Sequence, residues 1–245
     1  MDNICCDSDS LPYPKRDIAM RLTLERYKAI DAIIADTSLS EIDKTLFSLC
    51  ALYNLAPEEL DKYPPLKVVK MAAKLEKVFK FKISAPAIIG IYKIQYDISS
   101  ITFGQYIELS YFFQFNAVDK ANYILATCAK TFIKRSHSKI AEAFSNKHVG
   151  IITGAMAKIR AGYIALNKEF GALFGLDDEV HPQAVSDSFM TQFNNRYGWI
   201  YSAEAVATYE RISVEEAYNL TVKRALNDLV YLKAKQRYEY LLTRK

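Results

Sequence analysis

Apolar residues recur at steps of three and four over most of the chain, which predicts a string of amphipathic helices. Leu24, Tyr27, Ile30 and Ile34 line the first, from about Thr23 to Ala35. Ser38-Leu39-Ser40-Glu41 reads as a capping box, in which a hydroxyl satisfies a free helix N–H while a carboxylate reaches back. The helix it opens carries Ile42, Leu46, Leu49, Cys50 and Tyr53 on one face. Pro57 with Glu58 and Glu59 marks a short helix start, and Tyr63-Pro64-Pro65 leads into a helix ending near Phe79.

The pattern changes between Lys80 and Ile101. Ile83, Ile88, Ile89, Ile91, Ile94, Tyr96 and Ile98 are β-branched or aromatic, with Pro86 and Gly90 between them, so a two-stranded hairpin is expected. Thr102-Phe103-Gly104-Gln105 is a second capping box, opening a helix to about Phe113. Helices are predicted from Val118 to about Thr131, and from Lys139 through Phe174 with a break near Gly150 and Gly154. Residues 176–185 read as a polar loop, after which Ser186 opens another helix. Ser213-Val214-Glu215-Glu216 is a third capping box. Its helix is expected to run nearly to Lys245 along the seam Val214, Tyr218, Val222, Ala225, Leu229 and Leu232. About 30 residues of helix would span roughly 45 Å.

The expected fold is therefore mainly α: a multi-helix bundle with at most a small β-hairpin around residues 80–101 and a long C-terminal helix. Residues 1–14, closing in Leu11-Pro12-Tyr13-Pro14, read as an N-terminal arm. A helical N-terminal subdomain over 15–82 and a helical main domain over 83–245 follow, or one continuous domain over 15–245.

Composition narrows this little. At 245 residues, 51% hydrophobic and +4 net charge, the chain can bury a core, and intrinsic disorder over most of the chain is excluded. The N-terminal residues lack the apolar run of a secretory signal, and the sequence reading expects no membrane segment. Cys5, Cys6, Cys50 and Cys128 show no C-x-x-C spacing and read as reduced thiols.

Chemistry is sparse. No Gly-rich phosphate loop, H-E-x-x-H or G-x-S-x-G is present. Ser136 and Lys139 formally make an S-x-x-K spacing around His137, without the partner motifs that such acyl-transfer sites need. Asp177, Asp178, Glu179 and His181 gather in one loop, but without the spacing of a calcium loop they read as solvated helix-capping acids. Glu142, Glu169 and Glu210 read as solvent-facing carboxylates. No catalytic residue, cofactor or metal site is expected, and the chain is not expected to be an enzyme.

Charge is more informative. Lys233, Lys235, Arg237, Arg244 and Lys245 oppose only Glu239, so the last 13 residues hold the whole net charge. Tyr231, Tyr238 and Tyr240 interleave with them, as on a surface that meets another macromolecule. Lys67, Lys70, Lys74 and Lys77 line one helix face opposite Val68, Ala72, Leu75 and Phe79. Such a stripe is usually a solvated face, and its functional reading is contact with phosphate or an acidic partner. Trp199, the only tryptophan, reads first as core packing and second as an interface anchor.

Several segments also carry a resemblance. These are Ile101-Thr102-Phe103-Gly104-Gln105-Tyr106-Ile107-Glu108-Leu109 and Arg196-Tyr197-Gly198-Trp199-Ile200-Tyr201 with the stretch to Tyr209. Leu24-Glu25-Arg26-Tyr27 and Ala56-Pro57-Glu58-Glu59-Leu60 belong with them. With these patches the chain resembles helical structural and tail-assembly proteins of tailed bacteriophages, most of all crAss-like and other Bacteroides-infecting phages. The resemblance implies a virion protein, made in the bacterial host cytoplasm, that forms a homo-oligomeric ring or adaptor between portal and tail proteins. It equally admits a tail-assembly chaperone absent from the virion. A third expectation, from the lysine stripe alone, is a nucleic-acid-binding protein making non-specific DNA phosphate contacts.

Overall fold

The computed structural model describes residues 22–115, 118–131, 133–174 and 188–243. The 1–14 arm, the 176–185 loop and the helix start at Ser186 lie outside the described residues. The fold is mainly α. In chain order the helices are α1 (Leu24–Ala35), α2 (Glu41–Tyr53), α3 (Pro57–Leu60), α4 (Pro65–Val78), α5 (Phe103–Phe113) and α6 (Ala121–Thr127). They continue with α7 (His137–Ser145), α8 (Val149–Glu169), α9 (Ser188–Glu210), α10 (Val214–Asn219) and α11 (Val222–Thr243). Strands β1 (Ile88–Ile89), β2 (Tyr92–Ile94) and β3 (Ala129–Lys130) form one small sheet.

Two compact units divide the chain. The first takes the described residues up to Ser84 together with Glu142–Ile152, and the second takes Ala85–Ala141 and the chain from Thr153 on. A contiguous cut after residue 82 comes close to the first boundary but omits the return of Glu142–Ile152. Backbone pairing causes that return. Leu24 N donates to Lys147 O and Val149 N donates to Leu22 O, both at 2.9 Å, around a single antiparallel bridge between Thr23 and His148.

In the first unit, Thr23 caps α1 through its hydroxyl, which accepts from Arg26 N at 3.3 Å. The cap of α2 is Ser40, not Ser38: Ser40 Oγ accepts from Asp43 N at 3.1 Å, while Ser38 is held by Asp36 Oδ1. Asp36 competes for the Ser38 hydroxyl and so moves the helix start two residues on. Asn54, with φ of 53°, ends α2 in the left-handed conformation that asparagine tolerates. The core of this unit holds Leu24, Ile30, Leu49, Leu52, Leu60 and Met71, together with Phe144, Val149 and Ile152 from the returning segment.

In the second unit the predicted hairpin exists but is three-stranded. Ile88 pairs with Lys93 and Ile89 with Tyr92 around Gly90, whose φ of 65° closes the two-residue turn. Lys93 and Ile94 then pair with Lys130 and Ala129, so the helix expected to reach Thr131 stops at Thr127 to supply a strand. The capping box at Thr102 forms as read: Thr102 Oγ1 accepts from Gln105 N at 3.2 Å, and Gln105 Oε1 accepts from Thr102 N at 3.0 Å. Phe103, Tyr106, Leu109, Ile124, Leu125, Ile159, Val206, Ala225 and Leu226 form the buried centre.

Two helix expectations change. The run from Lys139 breaks between Ser145 and Val149, and Gly150 lies inside α8 rather than at the break. The C-terminal helix is not continuous from Ser213. Its capping box opens only the short α10, and Leu220, with φ of −59° and ψ of 153°, turns extended. There Phe103 N donates to Leu220 O at 2.8 Å and Val222 N to Ile101 O at 3.0 Å, which stops one helix and starts α11. A further correction concerns α8, which is long and apolar enough to cross a bilayer where the sequence reading expected no such stretch. Its Ile152, Ala155 and Ile159 are fully buried, as befits a core helix.

Candidate functional site

The structure assembles one polar cluster that no sequence motif announces. Thr127 Oγ1 donates to Glu108 Oε2 at 2.8 Å, and His137 Nε2 lies 3.2 Å from the same hydroxyl. His137 Nδ1 is 3.8 Å from Glu108 Oε1. Hydroxyl, imidazole and carboxylate thus meet, but not as in a catalytic triad, because the hydroxyl proton goes straight to the carboxylate instead of to the imidazole. Access argues the same way. Thr127 is 2% exposed and its one hydroxyl proton is shared between Glu108 Oε2 and Tyr123 O, so no reacting carbonyl can approach it. The cluster ties α5, α6 and the start of α7 together.

The remaining sequence candidates are dispersed. Ser136 Oγ meets Ser138 Oγ at 3.2 Å on the surface, and Lys139 is exposed. Burial, and next the charge of Glu108, push the Cys128 thiol up to about 12, so it carries no thiolate at neutral pH. Among the described residues no three His, Cys, Asp or Glu side chains gather as metal ligands. The Asp177 to His181 loop lies outside them. Glu142 is exposed, whereas Glu169 pairs with Lys223 at 2.9 Å and Glu210 accepts both arms of Arg224 at 2.8 and 2.6 Å. Glu169 does face solvent, but as an ion-pair partner, whereas Glu210 is a mostly covered one.

The lysine stripe on α4 is uneven. Lys70 and Lys77 are exposed, while Lys67 and Lys74 are half-buried, with Lys67 Nζ 4.4 Å from the Tyr63 ring centre. The residue of α4 buried most deeply is Met71, on a face between the two predicted stripes.

Trp199 uses its ring for packing. It is half-buried, with its ring edge-to-face on Phe103 at 6.0 Å and on Tyr106 at 5.6 Å. The C-terminal helix behaves in two parts. Val222, Ala225, Leu226 and Leu229 are buried, whereas every described residue from Lys233 to Thr243 is exposed. Those three turns include Lys233, Lys235 and Arg237, with Tyr238, Tyr240, Leu241 and Leu242 each more than half exposed. Tyr231 is half exposed too, its ring 5.4 Å from that of Tyr209. An open groove of about 1040 Å³ runs between α9 and α11, with Tyr201, Ala205 and Tyr209 on one side and Leu229, Leu232 and Gln236 on the other.

Beside the groove, Asp228 Oδ2 is buried without a hydrogen-bond partner among the described residues. Burial, and then the nearby carboxylate of Glu210, push Asp228 up to about 6. Its folded value lies above the unfolded one, so its contribution favours the folded state at low pH and is lost as pH rises through about 6. Asp228→Asn should therefore raise the melting temperature at pH 7.5 and change it little at pH 4. After allowance for solvent screening of this half-buried side chain the gain is on the order of 1 kcal/mol. Thermal melts of both proteins across this range check it, and an equal shift at every pH would refute the assignment.

The geometry thus offers contact surfaces and closed polar ties. No known protein family matches the chain, and neither a curated protein nor a solved structure is significantly similar to it.

Proposed function

We propose that the protein is a structural assembly subunit that works through its own oligomerisation, as a ring or adaptor component at the portal–tail junction of a phage virion. The observation that carries the assembly part is the exposed end of α11. Three turns of helix hold two tyrosines and two leucines away from any core. A helix end of this kind gains little from intramolecular packing, and burying it against a second subunit removes apolar surface from water. Aromatic residues mixed with arginine are the composition that interface centres favour. The groove between α9 and α11 lies beside this helix and offers Tyr201 and Tyr209 as the facing contact. The virion part rests on the resemblance of the patches at 101–109 and 196–209 to phage structural proteins.

Deleting residues 233–245 spares the buried residues Val222 to Leu229. The truncated protein should keep its helical circular dichroism and lose its higher oligomer in light scattering. An unchanged assembly state would refute the role of α11. Mass spectrometry of purified particles tests the virion part: a ring protein is present at fixed stoichiometry, and a chaperone is missing.

A further inference from the structure

The second unit carries an exposed aromatic surface that neither the oligomer contact nor the core uses. Tyr111 in the last turn of α5 is 55% exposed, Phe115 just past the helix 47%, and Tyr123 on α6 36%. Large rings normally turn inward, so three at the surface in one place call for an explanation. They are also contiguous. Phe115 lies 4.9 Å from Tyr111, Tyr111 lies 5.9 Å from Phe112, and Phe112 lies 5.8 Å from Tyr123. Tyr123 in turn lies 6.0 Å from the His137 ring.

Cations accompany this row. Lys120 Nζ sits 5.8 Å from the Phe115 ring centre and 5.9 Å from that of Tyr123. Just before and after His137 come Lys134, Arg135 and Lys139, all exposed. Over residues 111–140 five cations face Asp119 as the only acid, and Glu108 joins it in space beside His137. Lys134 and Lys139 have no ion-pair partner among the described residues, and Arg135 is engaged only by the neutral Tyr92 hydroxyl, at 3.2 Å.

We propose that this surface binds single-stranded nucleic acid, with bases stacked on Tyr111, Phe115 and Tyr123 and phosphates held by Lys120, Lys134, Arg135 and Lys139. The chemistry selects this partner. Each nucleotide brings one flat π face and one negative charge, matching a row of rings beside a row of cations. A duplex keeps its bases stacked on one another and offers the charge alone. An acidic peptide also supplies charge without planar faces. A second copy of the same patch would set like charges against each other. This inference stands apart from the α11 contact and is lost or kept independently of it.

The test uses the full chain and fluorescence anisotropy at low salt. The probes are an oligodeoxyuridylate and an oligouridylate of about 20 nucleotides, which differ only in the sugar, a duplex of equal length, and polyglutamate. Binding to either single strand, at least tenfold tighter than to duplex, is expected, and the tighter strand identifies deoxyribose or ribose as the preferred source. Tyr111→Ala and Phe115→Ala should each weaken it about tenfold. Tyr111→Leu with Phe115→Leu keeps the apolar contacts and removes the π faces, so it covers the case in which an alanine variant fails to fold. Lys134→Ser with Lys139→Ser should flatten the dependence of log affinity on log salt by about 1.4. Because α4 and the end of α11 also carry lysines, the aromatic variants are decisive. Their binding as well as the parent, with helical circular dichroism intact, would overturn the proposal. So would an absence of single-strand binding, or equal affinity for duplex or polyglutamate.

Discussion

Replacing Tyr106 by alanine should remove about 3–5 kcal/mol of stability, the largest single-residue loss expected in this protein. Tyr106 is fully buried on α5. Its ring stacks on Tyr163 at 5.2 Å and takes the edge of Trp199 at 5.6 Å, and its hydroxyl donates to Asn167 Oδ1 at 2.5 Å. Burial, reinforced by Tyr163, raises the phenol's pKa, so it stays a neutral donor throughout the working pH range. Truncation therefore opens a ring-sized cavity between α5, α8 and α9, and also orphans an amide oxygen. Tyr106→Phe separates the two effects, because it keeps the ring and should cost only about 1–2 kcal/mol for the lost hydrogen bond. Urea unfolding followed through Trp199 fluorescence reads both. A loss below about 1 kcal/mol for the alanine variant would mean that the aromatic centre repacks freely.

Gly150 should be nearly as sensitive, and in a direction opposite to helix propensity. It lies in the first turn of α8, where alanine is ordinarily worth about 1 kcal/mol more than glycine. A Cβ there would run into the carbonyl oxygen of Lys82 and come within 2.9 Å of the Phe81 ring. The backbone approach is held by Ser84 N, which donates to Gly150 O at 3.1 Å. Backbone cannot swing aside as a side-chain tip can, so Gly150→Ala should cost about 2 kcal/mol and Gly150→Val more. Gly198 in α9 is the internal control, since a Cβ there meets nothing within 4 Å. Gly198→Ala should stabilise by about 0.5–1 kcal/mol. Equal signs for the two alanine variants in chemical denaturation would contradict the close approach at Gly150.

What was legible in the sequence was local. Period placed α1, and capping chemistry placed α5 and the start of α10, within a residue or two, because Thr102 and Ser213 need only their next three residues to act. Ser38 misled because two serines lie within reach, and only the orientation of Asp36 decides between them. The break at Leu220 was hidden, since its cause is Ile101 and Phe103, remote in sequence. Strand β3 was hidden for the same reason: Ala129 and Lys130 are extended because β2 lies beside them. The polar cluster at His137 draws on Glu108 and Thr127 from two other helices, so no spacing rule could find it. Exposure was the least legible property. Tyr106 and Tyr111 belong to one helix and one residue type, yet one is fully buried and the other is 55% exposed.

The paired bridges have a kinetic consequence. Each compact unit is closed by the same device, in which the residues before two helices meet and each helix's first amide donates to the other strand. In one unit the pair is Thr23 with His148, and in the other Thr102 with Thr221. Both pairs join positions well over a hundred residues apart in the chain. The entropy of closing loops this long is lost before the two hydrogen bonds are gained. Helical proteins normally fold fast because their contacts are local, and here the final contacts are not. Helical signal should thus return early in refolding, while protection of the Leu24, Val149, Phe103 and Val222 amides against hydrogen exchange should lag behind it. Residues 142–152 cannot dock on the first unit until they have been synthesised, so during translation that unit has to wait for chain belonging mostly to the second.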